Sequence, residues 1–594
     1  MTDEGKTVRR SIPAFAAAAV LLALPLFSYP LVWKKLISGT VPYWGEVQCV
    51  SLPVMGVCAL SALLFFPERL VRLWSVGRLR LLLILAAVGV WVAGLQNLRY
   101  GGPADFIATA GFFFFLPVAG AVFSGEIKRL APLFAAALFL PALIVTCRTP
   151  DLSGWAGNWN WNFSLLAVTL SACFLLARRG SLRKTALLAL TGVTIALAVV
   201  SVLFPEIAPR GTFAGLLGAT AVILIFRNIV PARRWAFALW AAALTLVLFV
   251  GAAGTMFESI RDSRFQLWRG SLDFTLAGLP LGFGPDRFES MVLPYLPEIY
   301  YFTPFAAARH PHPHNEFLNY AAGYGLAGAV FFILLILLVL RGIRCRDRFG
   351  LWLGWAVLLL AIHGQFDVLL AVPLTGGWFL LGAGALAGGG QGRPERPRGA
   401  RPLRGLLKLA GCAGFCLAAV MAARLCQGTT YLRLARLQLL AGKTAEARQS
   451  LETSLKHHLS PAALYTAGAV ALFNFRDPDG AIDHLERIER ETGLPLVYHS
   501  NALLGRAWAV KGDYARSLGY FDRELVNYPF SAAASGLRLS VLKQAGADAS
   551  TIARENARFS ALMKLRGLEP KDLPLLLRDQ QRDDDPLKTE GDKP

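Results

Sequence analysis

Three of the chain's eight histidines, His310, His312 and His314, fall within five residues of one another. They alternate with prolines in the sequence HPHPHN, and proline favours an extended backbone. Side chains two residues apart point to the same side of an extended chain, so a zinc clip is geometrically possible. No fourth ligand is evident in the neighbouring sequence. The alternatives are a metal site, a surface loop with incidental histidines, or one working histidine.

The sequence that follows favours one working histidine, His314. His314 and Asn315 precede an apolar stretch that contains Gly325 and Gly328, where a neighbouring backbone can approach closely. A histidine at the mouth of such a helix lies at the boundary between water and membrane, where it can act as a base near neutral pH. His312 is its main rival for this role.

Two arginines on the same predicted face of the membrane could bind a phosphorylated substrate. Arg210 directly precedes an apolar stretch, and Arg264 begins the sequence RFQLWRG. An arginine guanidinium binds phosphate oxygens with two parallel hydrogen bonds. A single arginine at a helix end is more often an anchor at the membrane surface, but two of them with a histidine favour a binding site. Four further arginines share the predicted loop and could replace Arg264, namely Arg261, Arg269, Arg287 and Arg309.

These residues must be held by membrane helices. The 594-residue chain is 55% hydrophobic and only 17% charged, whereas a soluble protein has about 25% charged residues. Apolar stretches of about 20 residues recur along the first two thirds, and each is long enough to cross a bilayer. We therefore predict an all-α polytopic membrane protein of about thirteen spans, whose first apolar stretch is a retained helix. The net charge of +21 lies mainly in short loops, where it sets topology and does not indicate nucleic-acid binding.

The loop charges predict the topology and the domains. Basic loops alternate with poorly charged ones, which puts the N-terminus in the cytoplasm and the C-terminal tail outside, in the periplasm of a Gram-negative cell. Residues 350–388 could be two short spans or one re-entrant pair. We expect N-terminal membrane helices at 1–150, a catalytic core at 151–390 with a large outer loop at 255–315, a basic loop and last span at 391–427, helical repeats at 428–570 and a disordered end at 571–594.

The soluble tail resembles tetratricopeptide repeats. In residues 501–529, six positions have the spacing that packs two antiparallel helices together, namely Leu504, Gly505, Trp508, Gly512, Phe521 and Pro529. Weaker matches upstream predict three repeats in all, followed by one capping helix near 533–565. Such repeats are protein-binding scaffolds.

Residues 150–375 resemble the superfamily of O-antigen ligases and O-antigen polymerases, to which protein O-oligosaccharyltransferases are related. The resemblance rests on an ordered set of motifs: GNWN at 157–160, PRG at 209–211, RFQLW at 264–268, PLGFG at 280–284 and HN followed by GxxG at 314–328. His363 and Asp367, with Pro373, resemble a weaker element. The sequence departs from the family where Pro209 replaces a common serine and Trp159 replaces a common proline.

The resemblance implies transfer of a glycan from undecaprenyl diphosphate to a hydroxyl acceptor in the bacterial inner membrane. His314 would be the catalytic base, and Arg210 and Arg264 would bind the diphosphate. No metal or other cofactor is expected. Possible further substrate contacts are His312, Asn315, Asn158 and Arg287.

The acceptor is left open by the sequence. It would be lipid A-core for a ligase, which the motifs favour, a second lipid-linked glycan for a polymerase, or a protein for a protein transferase. A transporter with histidine relays and a non-catalytic scaffold are the alternatives from other classes. A transporter would place its polar residues within spans and show paired repeats, which the sequence lacks.

Overall fold

A computed structural model describes most of the chain as helices. The described residues are 3–25, 44–100, 105–148, 159–176, 210–226, 263–284, 287–297, 300, 312–343, 347–367, 369–370, 372–388, 401–492 and 499–565. They contain α-helices and short 3-10 segments, and none of them forms a β-strand. The prediction of an all-α protein is confirmed for this part of the chain.

In the described residues, thirteen α-helices precede the long helix at 401–440. They are α1 Asp3–Ala23, α2 Trp44–Phe65, α3 Pro67–Ser75, α4 Gly77–Tyr100, α5 Asp105–Val122, α6 Ser124–Arg148, α7 Trp159–Leu176, α8 Arg210–Phe226, α9 Ser263–Gly278, α10 Phe288–Met291, α11 Glu316–Gly342, α12 Arg348–His363 and α13 Pro373–Ala387. The 3-10 helix η1 covers Leu293–Tyr295.

The count of thirteen spans is not supported by the described residues. Four helical stretches there are long and apolar enough to cross a membrane, namely Gly77–Tyr100, Ser124–Ile144, Glu316–Gly342 and Arg404–Leu440. A fifth would be α2 with α3, which meet at an angle of 85°. Six further apolar helices have 10–17 residues, shorter than the roughly 20 residues that a straight span needs. The predicted spans at 185–204 and 235–254 lie outside the described residues.

Close contacts between backbones hold the apolar helices together. A Cβ atom on Gly384 of α13 would collide with the Pro117 carbonyl of α5, and one on Gly120 of α5 would collide with the Leu381 carbonyl of α13. Small residues at both positions let the two helices touch along their backbones. Residues 350–388, for which two spans or a re-entrant pair were expected, form the short helices α12 and α13 with a turn between them.

One long helix joins the apolar helix bundle to the repeats. Helix α14, Arg401–Leu440, has 40 residues. Near its start, Gly411 packs against the backbone of Ser61 and Phe65 in α2. Near its end, Leu432 and Ala435 are buried in the core of the first repeat. The domain boundary expected at 427 therefore falls inside a continuous helix.

The repeats continue as antiparallel helices. They are α15 Thr444–His457, α16 Pro461–Asn474, α17 Pro478–Thr492, α18 Ser500–Val510, α19 Tyr514–Asn527, α20 Ala532–Gln544 and α21 Ala549–Leu565. The single capping helix expected near 533–565 is instead the pair α20 and α21. Gly546 lies between them with φ of 69°, a left-handed conformation that glycine adopts readily and that ends a helix. The predicted disordered end, 571–594, lies outside the described residues.

Candidate active site

His314 is paired with a carboxylate that lies far away in sequence. Its Nδ1 lies 3.2 Å from Oδ1 of Asp367, in the turn after α12. The His314 side chain is 25% exposed and that of Asp367 only 6%, so the imidazole can be reached from outside while its partner is enclosed. His314 also has a positive φ of 50°, which is uncommon for a residue with a side chain. A carboxylate on one ring nitrogen orients the imidazole and stabilises its protonated form.

The start of α11 is tied to the same turn. The Asn315 side chain caps the helix by accepting from the Leu318 amide at 3.0 Å, and it donates to the Gln365 carbonyl at 3.1 Å. The Glu316 amide donates to the Gly364 carbonyl at 2.8 Å. These bonds hold the His314 backbone against the turn that carries Asp367.

Glu316 is a buried part of the first clamp, by which we mean the bonds between the start of α11 and the turn after α12. It is 1% exposed, and its Oε1 accepts from the Leu370 amide at 2.6 Å. Its Oε2 accepts from the Asn319 side chain at 3.3 Å. A buried carboxylate needs such donors, and here one comes from the turn between α12 and α13 and the other from α11 itself. Glu316 therefore fixes the position of that turn.

A second clamp comes from α9 and the PLGFG segment. The Trp268 Nε1 donates to the His314 carbonyl at 3.3 Å. The amides of Phe283 and Gly284 donate to the carbonyls of Ala322 and Gly323 at 2.9 and 2.8 Å. These are backbone bonds between a loop and a helix, so the loop depends on a local opening of α11.

That opening is at Gly325, the first glycine of the GxxG motif. Its φ of 60° and ψ of −142° break the helix, and a Cβ there would collide with the Pro280 carbonyl. The Leu326 amide, freed by the break, donates to the Pro280 carbonyl at 2.9 Å. The close backbone approach that the sequence predicted at this glycine is therefore made by the PLGFG segment.

Behind Asp367, polar groups continue into the helix bundle. His363 Nε2 lies 4.0 Å from Asp367 Oδ2, and His363 Nδ1 lies 2.7 Å from Ser164 Oγ of α7. Ser164 Oγ in turn lies 3.0 Å from Thr212 Oγ1 of α8. Ser164 and His363 are fully buried. The group therefore supports Asp367 from behind, and Ser164 is too enclosed to act as a nucleophile on an external substrate.

The two predicted arginines belong to helices that pass close to this group and to His314. Arg210 is the first residue of α8, and the next residue, Gly211, lies so close to the His363 ring that a Cβ would collide with it. Arg264 lies one turn before Trp268, whose indole bonds to His314. The side chains of both arginines lie outside the described part of the structure.

Two other predicted residues have structural contacts. Arg287 is buried, donates to the Gln96 carbonyl at 3.4 Å and lies 5.1 Å from the Tyr100 ring centre. His312 is half-buried with an enclosed Nε2. Burial, with a smaller contribution from His314, lowers the pKa of His312 to about 3, so its imidazole is neutral at pH 7.

The histidine cluster is described at His312 and His314. Within the described ranges, no three His, Cys, Asp or Glu side chains form a group that could hold a metal ion. His310, Arg261, Arg309 and Asn158 lie outside those ranges.

Sequence reasoning missed three residues of this arrangement. Asp367 was noted only through its spacing from His363. Glu316 and Ser164 carried no signal, because a lone glutamate beside an asparagine and a lone serine in an apolar helix have many ordinary roles.

Comparisons with known proteins identify the C-terminal part. The family model for the tetratricopeptide repeat matches residues 432–493 and 466–532. This region is a tetratricopeptide repeat domain, as its spacing predicted, and such repeats indicate binding to other proteins. No curated protein matches the chain.

Proposed function

We propose that this protein is a membrane glycosyltransferase of the O-antigen ligase and polymerase type. It would move a glycan from undecaprenyl diphosphate to a hydroxyl acceptor, at the outer face of the bacterial inner membrane. The observation that carries the proposal is the pairing of His314 with Asp367 beside the helix positions of Arg210 and Arg264.

In this reaction His314 acts as the general base. Asp367 pairs with Nδ1 of His314. The proton of the acceptor hydroxyl is therefore taken by Nε2. The acceptor oxygen attacks the anomeric carbon as the bond from that carbon to the phosphate oxygen breaks. The electron pair leaves with the diphosphate, and Arg210 and Arg264 stabilise its growing charge. Direct attack inverts the configuration of the anomeric carbon.

The repeat domain bears on the choice of acceptor. A protein-binding module favours a polymerase or protein transferase that works with other proteins, whereas the motif set favours a ligase. In either case the proposal puts the repeats on the same side of the membrane as the site, following the predicted topology of a cytoplasmic N-terminus and a periplasmic tail.

Glycan transfer by the purified protein tests the proposal. The donor is undecaprenyl-diphosphate glycan, the acceptors are lipid A-core, lipid-linked glycan and a serine-rich peptide, and EDTA is present in a parallel set. We expect His314→Ala to lower transfer by at least about a hundredfold, while His457→Ala in the repeats retains wild-type transfer.

Four outcomes would contradict parts of the proposal. Full transfer by His314→Ala would remove the histidine from the chemistry, and loss in His312→Ala alone would move the role to that residue. Transfer abolished by EDTA and restored by zinc would make the cluster a metal site. Full activity of Arg264→Lys would remove Arg264 from diphosphate binding, since lysine lacks the paired donors.

A further inference from the structure

A small apolar core lies between the candidate active site and the repeats. We call it the loop core, because most of it comes from the segment between α8 and α11. Its buried members are Leu267, Phe274, Phe283, Phe288, Val292, Leu296, Tyr300 and Ala322. The Phe274 and Phe283 rings stack at its centre, with ring centres 4.1 Å apart and planes 13° apart.

The repeat domain touches the loop core through one aromatic residue. Phe530, in the turn between α19 and α20, packs against this core although Ala322, its nearest buried member in sequence, is 208 positions away. Helix α19 also lies against η1. A half-buried phenylalanine in such a turn is a specific packing contact, because it removes apolar area of both partners from water.

The loop core is bonded to the His314 site at two points. Trp268 follows Leu267 of the core and donates to the His314 carbonyl. Phe283 belongs to the core and donates its amide to Ala322, in the helix that His314 precedes. A displacement of the core therefore moves both parts of the second clamp, α9 and the PLGFG segment.

We propose that Phe530 is a positioning residue for the His314 site. By packing against the loop core, it holds α9 and the PLGFG segment in the arrangement that orients the His314 backbone. The repeats are then part of the apparatus that shapes the site, in addition to binding other proteins. The effect on catalysis rests on the proposed function, whereas the mechanical link does not.

Amide hydrogen exchange in the full-length protein tests the link directly. In Phe530→Ala, we expect the amides of residues 288–297 to exchange roughly tenfold faster, because part of a phenyl ring's burial is lost. Phe530→Leu restores most of the protection, since it keeps an apolar side chain. The matched control is Phe475→Ala, which removes a 36% exposed ring from the end of α16 and should leave these amides unchanged.

A second variant tests the same link from the loop side. Gly270 of α9 lies against η1, where a Cβ would come within 2.9 Å of the Tyr295 carbonyl and 2.8 Å of the Leu296 side chain. Gly270→Ala should therefore speed exchange in 288–297 and at Phe530 while the rest of the repeats stay protected. Unchanged exchange in 288–297 in Phe530→Ala, or equal acceleration in Phe475→Ala, would overturn the proposal.

The transfer assay then separates the two proposals. We expect Phe530→Ala to lower kcat roughly tenfold with little change in KM for the lipid donor, because Phe530 positions the site without touching substrate. Equal kcat in Phe530→Ala and wild type would remove the catalytic effect. A wild-type protein that transfers no glycan, but whose loop exchanges faster in Phe530→Ala, would contradict the proposed function and leave the positioning link intact.

Discussion

The repeat domain and the His314 site are both made of helices, but their contacts span very different lengths of chain. In the third repeat, Ser517 Oγ donates to the Gly505 carbonyl at 2.7 Å, and the two residues are 12 positions apart. At the site, the paired residues His314 and Asp367 are 53 positions apart in sequence, and Ser164 and His363 are 199 positions apart. A repeat is therefore specified by its own short sequence, whereas the site exists only when distant helices have packed.

Glycine has different roles in the repeats and at the site. In the repeats, Gly512 adopts φ of 80° with no atom near its missing Cβ, so it serves only to turn the chain. At the site, Gly325 adopts φ of 60° and is also in contact with another segment. The same residue type has a local role in one region and a long-range role in the other.

The largest expected effect is that of a side chain at Gly325. Gly325→Val adds a branched side chain in a left-handed conformation, and its Cβ collides with the Pro280 carbonyl and comes within 2.6 Å of the Gly282 amide nitrogen. We expect a loss of about 3 kcal/mol or more in unfolding free energy. Thermal unfolding of the detergent-solubilised protein measures it. The control is Gly94→Val in α4, where nothing lies within 4 Å of the added Cβ; equal losses would show that the close approach is unimportant.

Next in size is the effect of removing the charge beside His314. Asp367→Asn keeps the side-chain shape but no longer stabilises the protonated imidazole, so glycan transfer should fall roughly a hundredfold with little change in unfolding temperature. The matched control is Asp347→Asn, because that residue caps α12 at the Phe349 and Gly350 amides and asparagine caps as well. Wild-type transfer by Asp367→Asn would mean that the pairing has no catalytic role.

A glycine in the repeats should give a smaller and local effect. A Cβ on Gly505 would come within 2.9 Å of the fully buried Phe521 ring, so Gly505→Ala should cost about 1–2 kcal/mol through overpacking. Gly519→Ala on the neighbouring helix has open space at its Cβ and should be neutral or stabilising. Hydrogen exchange resolved along the chain measures both, and spread of the Gly505→Ala effect beyond the neighbouring repeats into the membrane part would contradict a purely local role.

The smallest effect is expected for an ion pair within one helix. Arg487 Nε lies 2.8 Å from Glu491 Oε1 on α17, and both side chains are partly exposed. Solvent screens such a pair, so Arg487→Gln should cost only about 0.3 kcal/mol, and less at high salt. Denaturant unfolding of this variant beside Gly505→Ala compares the two. A loss above that of Gly505→Ala would mean that charge, and not packing, dominates the stability of the repeats.

Predictions from the sequence were more successful for contacts within one helical pair than for the packing of distant helices. The tetratricopeptide spacing predicted the third repeat correctly, because Gly505 and Phe521 pack within one helical pair. The single capping helix was wrong, since the turn at Gly546 has little apolar signal on either side. The span count treated each apolar stretch as a crossing, but several of the resulting helices are short and packed inside the bundle.

Sequence alone determined the helical class, the repeat domain and His314 with its flanking asparagine as the position of interest. These depend on composition, on short periodic spacing and on residue types that lie next to one another. The tertiary structure alone decided that Asp367 is the partner of His314, that Glu316 clamps the turn, and that Phe530 packs against the loop core. Each of these contacts joins segments that are distant in sequence, and no local pattern records which distant segment a helix will meet when it packs.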